Sequence, residues 1–459
     1  MKSQAIIRLL LLLLFPALIM GENNERNKVS VTVYNANLGV VKDIREIQIN
    51  SGKSEIAITD VAQLIDPTSV HIKLDGEVLE QNYQYDLVSM DKILKKYIDK
   101  DIQLFGKEDI FIDGTLLSAY SSQIVVKKKD GGLVMIPNFN EYRISVGSLP
   151  EGLITKPTLV WLVNSNKSGK QEVEVSYQTS GMNWHAEYVA VLNEDDTELD
   201  LNSWVSIENR SGTTFGNANL KLVAGDVNLV KPEYDRTYRD GIRKEMVLSP
   251  ESEKQFEEKE FFEYHIYDLQ RPTTLSNNET KQISLFEAEG VKALKKYYYK
   301  SQHRYYRSSS EARKISVIVE FENKENYDLG IPMPKGKVRV YKSDGESIEF
   351  IGEDLIDHTP KNEKVKLKIG DAFDIVAEEK QTENIKITDK VYEQVWEIIF
   401  KNRKQESVKI EVERYLGNYW EILSSSHDYK KKDAMNIIFS VPVKADSQSV
   451  LKFKVRYTY

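Results

Sequence analysis

Four side chains able to bind a metal or move a proton crowd into FIGEDLIDHTP: Glu353, Asp354, Asp357 and His358. On one helical turn they would converge, with Pro360 ending the turn, and one imidazole with carboxylates suits zinc or manganese. On a strand, adjacent Asp357 and His358 would point to opposite faces. SIEFIGE and KVKLKI on either side read as strands, which makes Glu353 to Asn362 their connection. Aspartates in such connections brace backbone N–H groups, and a neighbouring histidine pairs with a carboxylate. With a single imidazole in the stretch, a braced turn is the expectation, and a metal site using Asp357 and His358 is the alternative.

Two further stretches carry chemistry. In KKYYYKSQHRYYRSSSEARK, the cations Lys295, Lys296, Lys300, Arg304 and Arg307 interleave with Tyr297, Tyr298, Tyr299, Tyr305 and Tyr306. Tyrosine faces and basic tips suit the sugar rings and acidic groups of an anionic glycan. The plainer reading is the expectation: a strand bearing Tyr297 and Tyr299 on one face, followed by a solvated loop, with acidic neighbours offsetting the cations. The alternative is contact with such a glycan or with a protein partner through Arg304, Arg307, Tyr305 and Tyr306. In GMNWHAEYVAV, alternation puts Trp184, Ala186 and Tyr188 on an inner face and His185 with Glu187 on the outer one, where a surface ion pair is expected.

Other motifs fail on inspection. NRSGTTFGNANLKL lacks the G-x-S-x-G frame of a nucleophile elbow. GIPMPKGKV has the wrong spacing for a phosphate loop, and Lys337 is followed by valine. H-E-x-x-H and dinucleotide glycine patterns are absent. No catalytic, cofactor-binding or metal residue is assigned, and no cofactor is expected. A glycosidase needs only two facing carboxylates, which spacing does not reveal, so a hydrolase stays open as an alternative.

The elements that must position these groups are mainly strands. QEVEVSYQ, VKLKI and SVLKFKVRYTY alternate with period two, the pattern of half-buried antiparallel strands. Asp344-Gly345 predicts a hairpin with a type I′ turn. One amphipathic helix is expected near residues 89–99, where Met90, Ile93, Leu94 and Tyr97 share a face. ITDVAQLIDPTS allows a short helical turn ended by Pro67, and SPESEKQFEEKEFFEY a charged helix or an ordered insertion. The expected organisation is an N-terminal β unit at 28–75, a small α+β or barrel-like unit at 76–148 and an extended connection at 149–169. A central β-sandwich region follows at 170–390, with an irregular insertion at 231–256, and then a C-terminal immunoglobulin-like β-sandwich at 391–459.

The ends and the composition set the compartment. Lys2 and Arg8 precede an apolar run from Leu9 to Met20, then Gly21 and the polar ENNERNK. This reads as a signal peptide over residues 1–21; the run is short for a span, though retention as an anchor stays open. No transmembrane span is expected after it, and the chain is expected to be exported: periplasmic, cell-envelope or secreted. There is no cysteine, hence no disulfide, thiolate metal site or cysteine nucleophile. A net charge of −8, mixed along the chain, disfavours nucleic acid as a partner. Sequons occur at Asn166, Asn209 and Asn278.

DPTSV, QNYQYDL, GMNWHAEY, VRVY and GEDLIDHTP together resemble the mucoidy-inhibitor-like proteins that carry the domain of unknown function 4139. The likeness spans nearly the whole mature chain, with further matching stretches at 149–153, 156–161, 209–212, 224–227, 271–273 and 372–374. It implies β-sandwich architecture and bacterial occurrence, and no established activity, cofactor or catalytic residue. The chain lacks the long coiled-coil segment that many relatives place between their β regions. The expectation is an exported, non-catalytic β-sandwich protein of the cell envelope that binds a protein or glycan.

Overall fold

The computed structural model describes residues 26–107, 110–225, 227–228, 255–301, 312–327 and 329–458. The expected leader, nearly all of the 231–256 insertion, and Arg304, Tyr305, Tyr306 and Arg307 lie outside the described residues. Strands dominate, in several mostly antiparallel sheets, and the α-helix is Met90–Lys96.

The period-two pattern sets the first sandwich. In strand Arg26–Tyr34, Val29, Val31 and Val33 face inward while Ser30 and Thr32 do not. Its two neighbours are Leu38–Ile49, antiparallel, and Phe215–Ala224, parallel. The sheet continues through Tyr264–Leu269 to Phe256–Phe261 on one side and through Gly169–Thr179 to His71–Lys73 on the other. Opposite lies a sheet of Ile348–Ile356, Gly336–Ser343, Met182–Leu192, Glu198–Asn209 and the first half of Glu279–Ser301. Val31, Val41, Trp184, Tyr188, Leu201, Leu220 and Val340 share the core between them. A three-stranded sheet of Gly52–Thr59, Thr158–Ser165 and Glu77–Gln84 extends the same core through Ile56, Leu159 and Trp161. Residues 28–75 thus share their core with the central region, because two or three strands bury an apolar face only against another sheet.

The second sandwich grows out of the first. Glu279–Ser301 is 23 residues long. Its first half pairs with Glu198–Asn209, and its second half pairs with Arg313–Glu322 and, in parallel, with Val408–Tyr415. Between the halves Gly290 has φ +62°, a left-handed conformation that glycine takes without strain. Lys364–Thr388 makes the same passage, from Arg313–Glu322 to Val391–Asn402. Tyr297, Tyr299, Ile375, Phe400, Ile410, Phe439 and Phe453 form the second core. Each such buried aromatic contributes roughly 1.5–3 kcal/mol relative to an exposed one. Residues 391–459 therefore complete their sandwich with strands from the central region.

The helix belongs to a third unit with its own core of Leu94, Tyr97, Leu104, Leu116, Val126 and Phe139. Ser89 caps it, accepting from Lys92 N at 3.4 Å. Its sheet runs Arg143–Val146, Asp101–Phe105, Phe111–Tyr120, Gln123–Lys128, Leu133–Ile136, and the two outer strands do not meet. The barrel alternative is thereby replaced by an open sheet: the outer strands have four residues each, too short to wrap round and close. The unit is inserted between two strands of the body, Glu77–Gln84 and Thr158–Ser165, which pair at Gln84↔Thr158. The connection expected to run extended is braced against residues 86–88, with Val88 N donating to Ile154 O at 2.9 Å and Ile154 N to Asp86 O at 3.1 Å.

Three local expectations are corrected. Pro67 begins a 3₁₀ turn, Pro67–Ser69, rather than ending a helix, because Asp66 caps it by accepting from Thr68 N at 2.9 Å. Phe256–Phe261 is a strand paired with Tyr264–Leu269, not a helix. The Asp344-Gly345 hairpin forms, but its register pairs Ser343 with Ile348, so four residues lie in the loop. Gly345 has φ +91°, while Asp344 Oδ1 accepts from Ser347 N at 2.7 Å, an aspartate turn in place of type I′.

Candidate functional site

The acidic stretch around His358 is a braced turn in which the four side chains are held apart. Glu353 and Asp354 lie on strand Ile348–Ile356, ahead of the turn. Glu353 faces Lys337 at 3.2 Å, and Asp354 Oδ2 accepts from Lys368 N at 2.7 Å. Asp357 Oδ1 accepts from His358 N at 2.9 Å, while Thr359 exchanges two backbone hydrogen bonds with Met333. His358 Nδ1 accepts from Lys335 N at 3.2 Å and Nε2 lies 3.5 Å from the Asn35 amide. Both ring nitrogens therefore face protein groups. Among the described residues, no three His, Asp or Glu side chains are grouped to hold a metal ion.

His185 and Glu187 pair at 3.3 Å on the outer face of Met182–Leu192. Glu187 also meets Arg339 at 3.7 Å and Gln282 at 3.1 Å. The hydrogen bond from His185, aided by the charge on Arg339, holds its carboxyl below the usual range against the upward push of burial. A shallow groove of about 360 Å³ near the end of the second sandwich is lined by Ser424, Ser425, Ser426, Lys452 and Lys454. Ser426 Oγ lies 2.9 Å from His427 Nδ1, but it also accepts from Lys452 N at 2.8 Å, which ties it into the sheet edge.

The first half of the tyrosine-rich stretch is the end of strand Glu279–Ser301. Lys295 meets Asp196 at 2.6 Å, and Lys296 meets Glu320 at 3.3 Å and Glu411 at 3.6 Å. Asp196 comes from the turn before Glu198–Asn209, and Glu320 and Glu411 from other strands; together they offset the local charge. Tyr297 and Tyr299 are buried in the second core. Tyr298 donates to Glu413, whose other donor is Lys432. Burial pushes the Glu413 carboxyl up, but these two donors outweigh it and hold it below the ordinary range.

Where this strand ends and Arg313–Glu322 begins, a groove of about 330 Å³ opens. Tyr298, Tyr299, Lys300, Arg313, Lys314, Ser316, Lys368 and Asp371 line it. Among the described residues its cations are Lys300, Arg313, Lys314 and Lys368, and its lining carboxylate is Asp371. Asp371 is shared between Lys368 at 3.4 Å and Ser316 Oγ at 3.1 Å. The surface is positive in a chain whose net charge is −8.

Beneath the groove lies a buried ionic cluster. Glu379, with a side chain 2% exposed, accepts from Tyr299 at 2.8 Å, Ser301 at 2.7 Å, Arg313 at 3.4 Å and Arg414. Arg414 is fully buried and lays its guanidinium over the Trp396 ring at 3.9 Å. Burial first, then the Glu379 carboxylate, push the Tyr299 hydroxyl well above its usual pKa, so it stays a donor. Arg313 therefore links the groove to a fixed anion in the core. The chemistry available is binding of an anion by preplaced cations.

Compared with known protein families and with curated proteins, the chain matches none. In DPTSV and GMNWHAEY, three side chains serve the fold. Asp66 caps a turn, Trp184 donates to Val223 O at 3.1 Å, and Tyr188 donates to Pro334 O at 2.7 Å. Asn209 is buried and its side-chain amide donates to Thr213 O and Leu275 O, so its sequon is closed in the folded chain. The groove was missed in the sequence because Lys368 and Asp371 come from a strand some 70 residues away from Lys300. Only the cation-rich ends of the hairpin, Lys300 and Arg313-Lys314, were visible as a signal.

Proposed function

We propose that this chain is an exported, non-catalytic β-sandwich protein of the cell envelope that binds an anionic glycan through the groove at the root of the Glu279–Ser301 and Arg313–Glu322 hairpin. One observation carries the reading: among the described residues, four cations from three strands line one groove with one carboxylate among them. Cations carried on neighbouring strands raise the local concentration of an anionic ligand. The basic start and apolar run before Gly21 support export.

The test uses the full mature chain. A double substitution of the exposed Lys300 and Lys314 to alanine should weaken binding to anionic glycan isolated from the host envelope, with thermal unfolding unchanged. The difference from wild type should shrink as salt rises, since screening removes the same charge contribution. Equal binding by both proteins rejects the groove. Fractionation of the host should find the protein beyond the cytoplasmic membrane without Met1 to about Gly21; an intact Met1 on a cytoplasmic protein rejects export.

A further inference from the structure

Strand Lys364–Thr388 breaks its register beside the groove. Ser316 pairs with Asp371 and Lys314 pairs with Val376, so two steps along one strand face five along the other. The surplus residues, Ala372 to Ile375, form a wide bulge. It is anchored on both sides: Ala372 packs on the second core, Ile375 is fully buried, and Asp374 O accepts from Arg403 N at 2.8 Å. Between these anchors Phe373 is 95% exposed. The bulge emerges between two register pairs that contribute Ser316, Asp371 and Lys314 to the groove lining. Phe373 lies two residues along the strand from the groove-lining Asp371, a step of about 7 Å and roughly the width of a sugar ring.

We infer that Phe373 and the groove form one subsite for a pyranose ring bearing a carboxylate, so that the ligand class is an acidic saccharide such as a uronic-acid polymer. This deepens the reading of the groove and rests on it. A phosphate or any other small anion has no use for an exposed phenyl ring. A pyranose offers an apolar C–H face that packs on the negative face of an aromatic ring. Its carboxylate needs donors in a planar fork, and a guanidinium has five N–H groups, of which Arg313 gives those on one nitrogen to Glu379. The anchored bulge fixes the backbone that carries the ring, so that part of the chain need not be ordered on binding.

Titration calorimetry of the full mature chain with tetragalacturonate, linear polyphosphate of similar charge and maltotetraose separates the possibilities. Tetragalacturonate should bind best. Phe373→Ala should lose on the order of tenfold for it, Phe373→Trp should keep it, and neither change should alter polyphosphate binding. Lys300→Ala with Lys314→Ala should weaken both anions. If polyphosphate binds as well as tetragalacturonate and Phe373→Ala changes neither, the saccharide inference fails while the anionic groove stands. If neither anion binds the folded wild type, the groove reading fails with it. Tight binding of maltotetraose would show that the carboxylate is irrelevant and would also overturn the inference.

Discussion

Glu379→Gln removes the anion around which the buried cluster of the second sandwich is built. The carboxylate accepts from Tyr299, Ser301, Arg313 and the fully buried Arg414. Glutamine keeps the shape, but its amide NH₂ turns donors toward donors and leaves the Arg414 charge uncompensated. Breaking a buried pair in this way costs about 3–5 kcal/mol. For a unit of this size each kcal/mol moves Tm by about 2–4 °C, so a fall of roughly 6–20 °C is expected. Urea unfolding followed by tryptophan fluorescence measures it, because Trp396 lies 3.9 Å from the Arg414 guanidinium; Trp396→Phe identifies its share of the signal. The double variant Glu379→Leu with Arg414→Met should recover most of the loss, since an apolar replacement of a buried pair is often neutral or stabilising. A cost below about 1 kcal/mol for Glu379→Gln, or a double variant as unstable as the sum of the singles, would refute the buried-pair reasoning.

Asn402→Ala should cost on the order of 2 kcal/mol in urea unfolding, because its amide donates to Glu406 O and Lys444 O and its carbonyl accepts from Lys404 N. Asp357→Ala should cost about 1 kcal/mol and Asp357→Asn less, since asparagine still accepts from His358 N, and metal content measured by mass spectrometry should not differ between them. The depressed Glu413 carboxyl contributes stability that is present above the ordinary carboxylate range and lost as pH falls through its folded value. Urea midpoints below about pH 4.5 should therefore drop less steeply for Glu413→Gln than for wild type. Replacing residues 86–156 with a short glycine linker should leave the two sandwiches folded by circular dichroism and thermal unfolding, because Gln84 and Thr158 are register partners and the excised unit has its own core.

What the sequence makes legible is whatever repeats locally. Val365 and Leu367 alternate with exposed lysines, and the strand they mark is there. The 3–4 spacing of Ile93, Leu94 and Tyr97 marks the helix, although Met90, expected on the same face, is exposed. Turn chemistry is half legible: Asp344-Gly345 announces a reversal, yet the aspartate's own hydrogen bonds select a longer loop than the dipeptide suggests. Pairing partners are not legible, because a strand's alternation is the same whichever strand lies beside it. Nothing near Val31 states that its parallel partner is Leu220. The ionic cluster is hidden for the same reason, with Arg414 lying 35 residues from Glu379 and Ser301 lying 78 residues from it.

Three buried asparagines show how this fold settles its long-range contacts. Asn209, Asn323 and Asn402 each stand at or just past a strand end, in ENR, ENK and KNR. Asn323 donates to Ile331 O and Pro360 O and accepts from Gly330 N. Asn209 and Asn402 each satisfy a carbonyl four residues on, a distant carbonyl and a nearby N–H. An amide offers both donors and an acceptor in one plane, so a single residue can end a strand and tie two other segments to it. Burial makes the arrangement selective, since any register that leaves the amide unpaired costs its full desolvation. Alternation alone permits many pairings of near-identical strands; these amides penalise the wrong ones. Asn323 and the Met333–Thr359 exchange fix the segments at one end of Arg313–Glu322, while Glu379 fixes Arg313 at the other. The groove lies at the Arg313 end of this strand. Its cations therefore inherit their spacing from the fold rather than from any motif in the sequence.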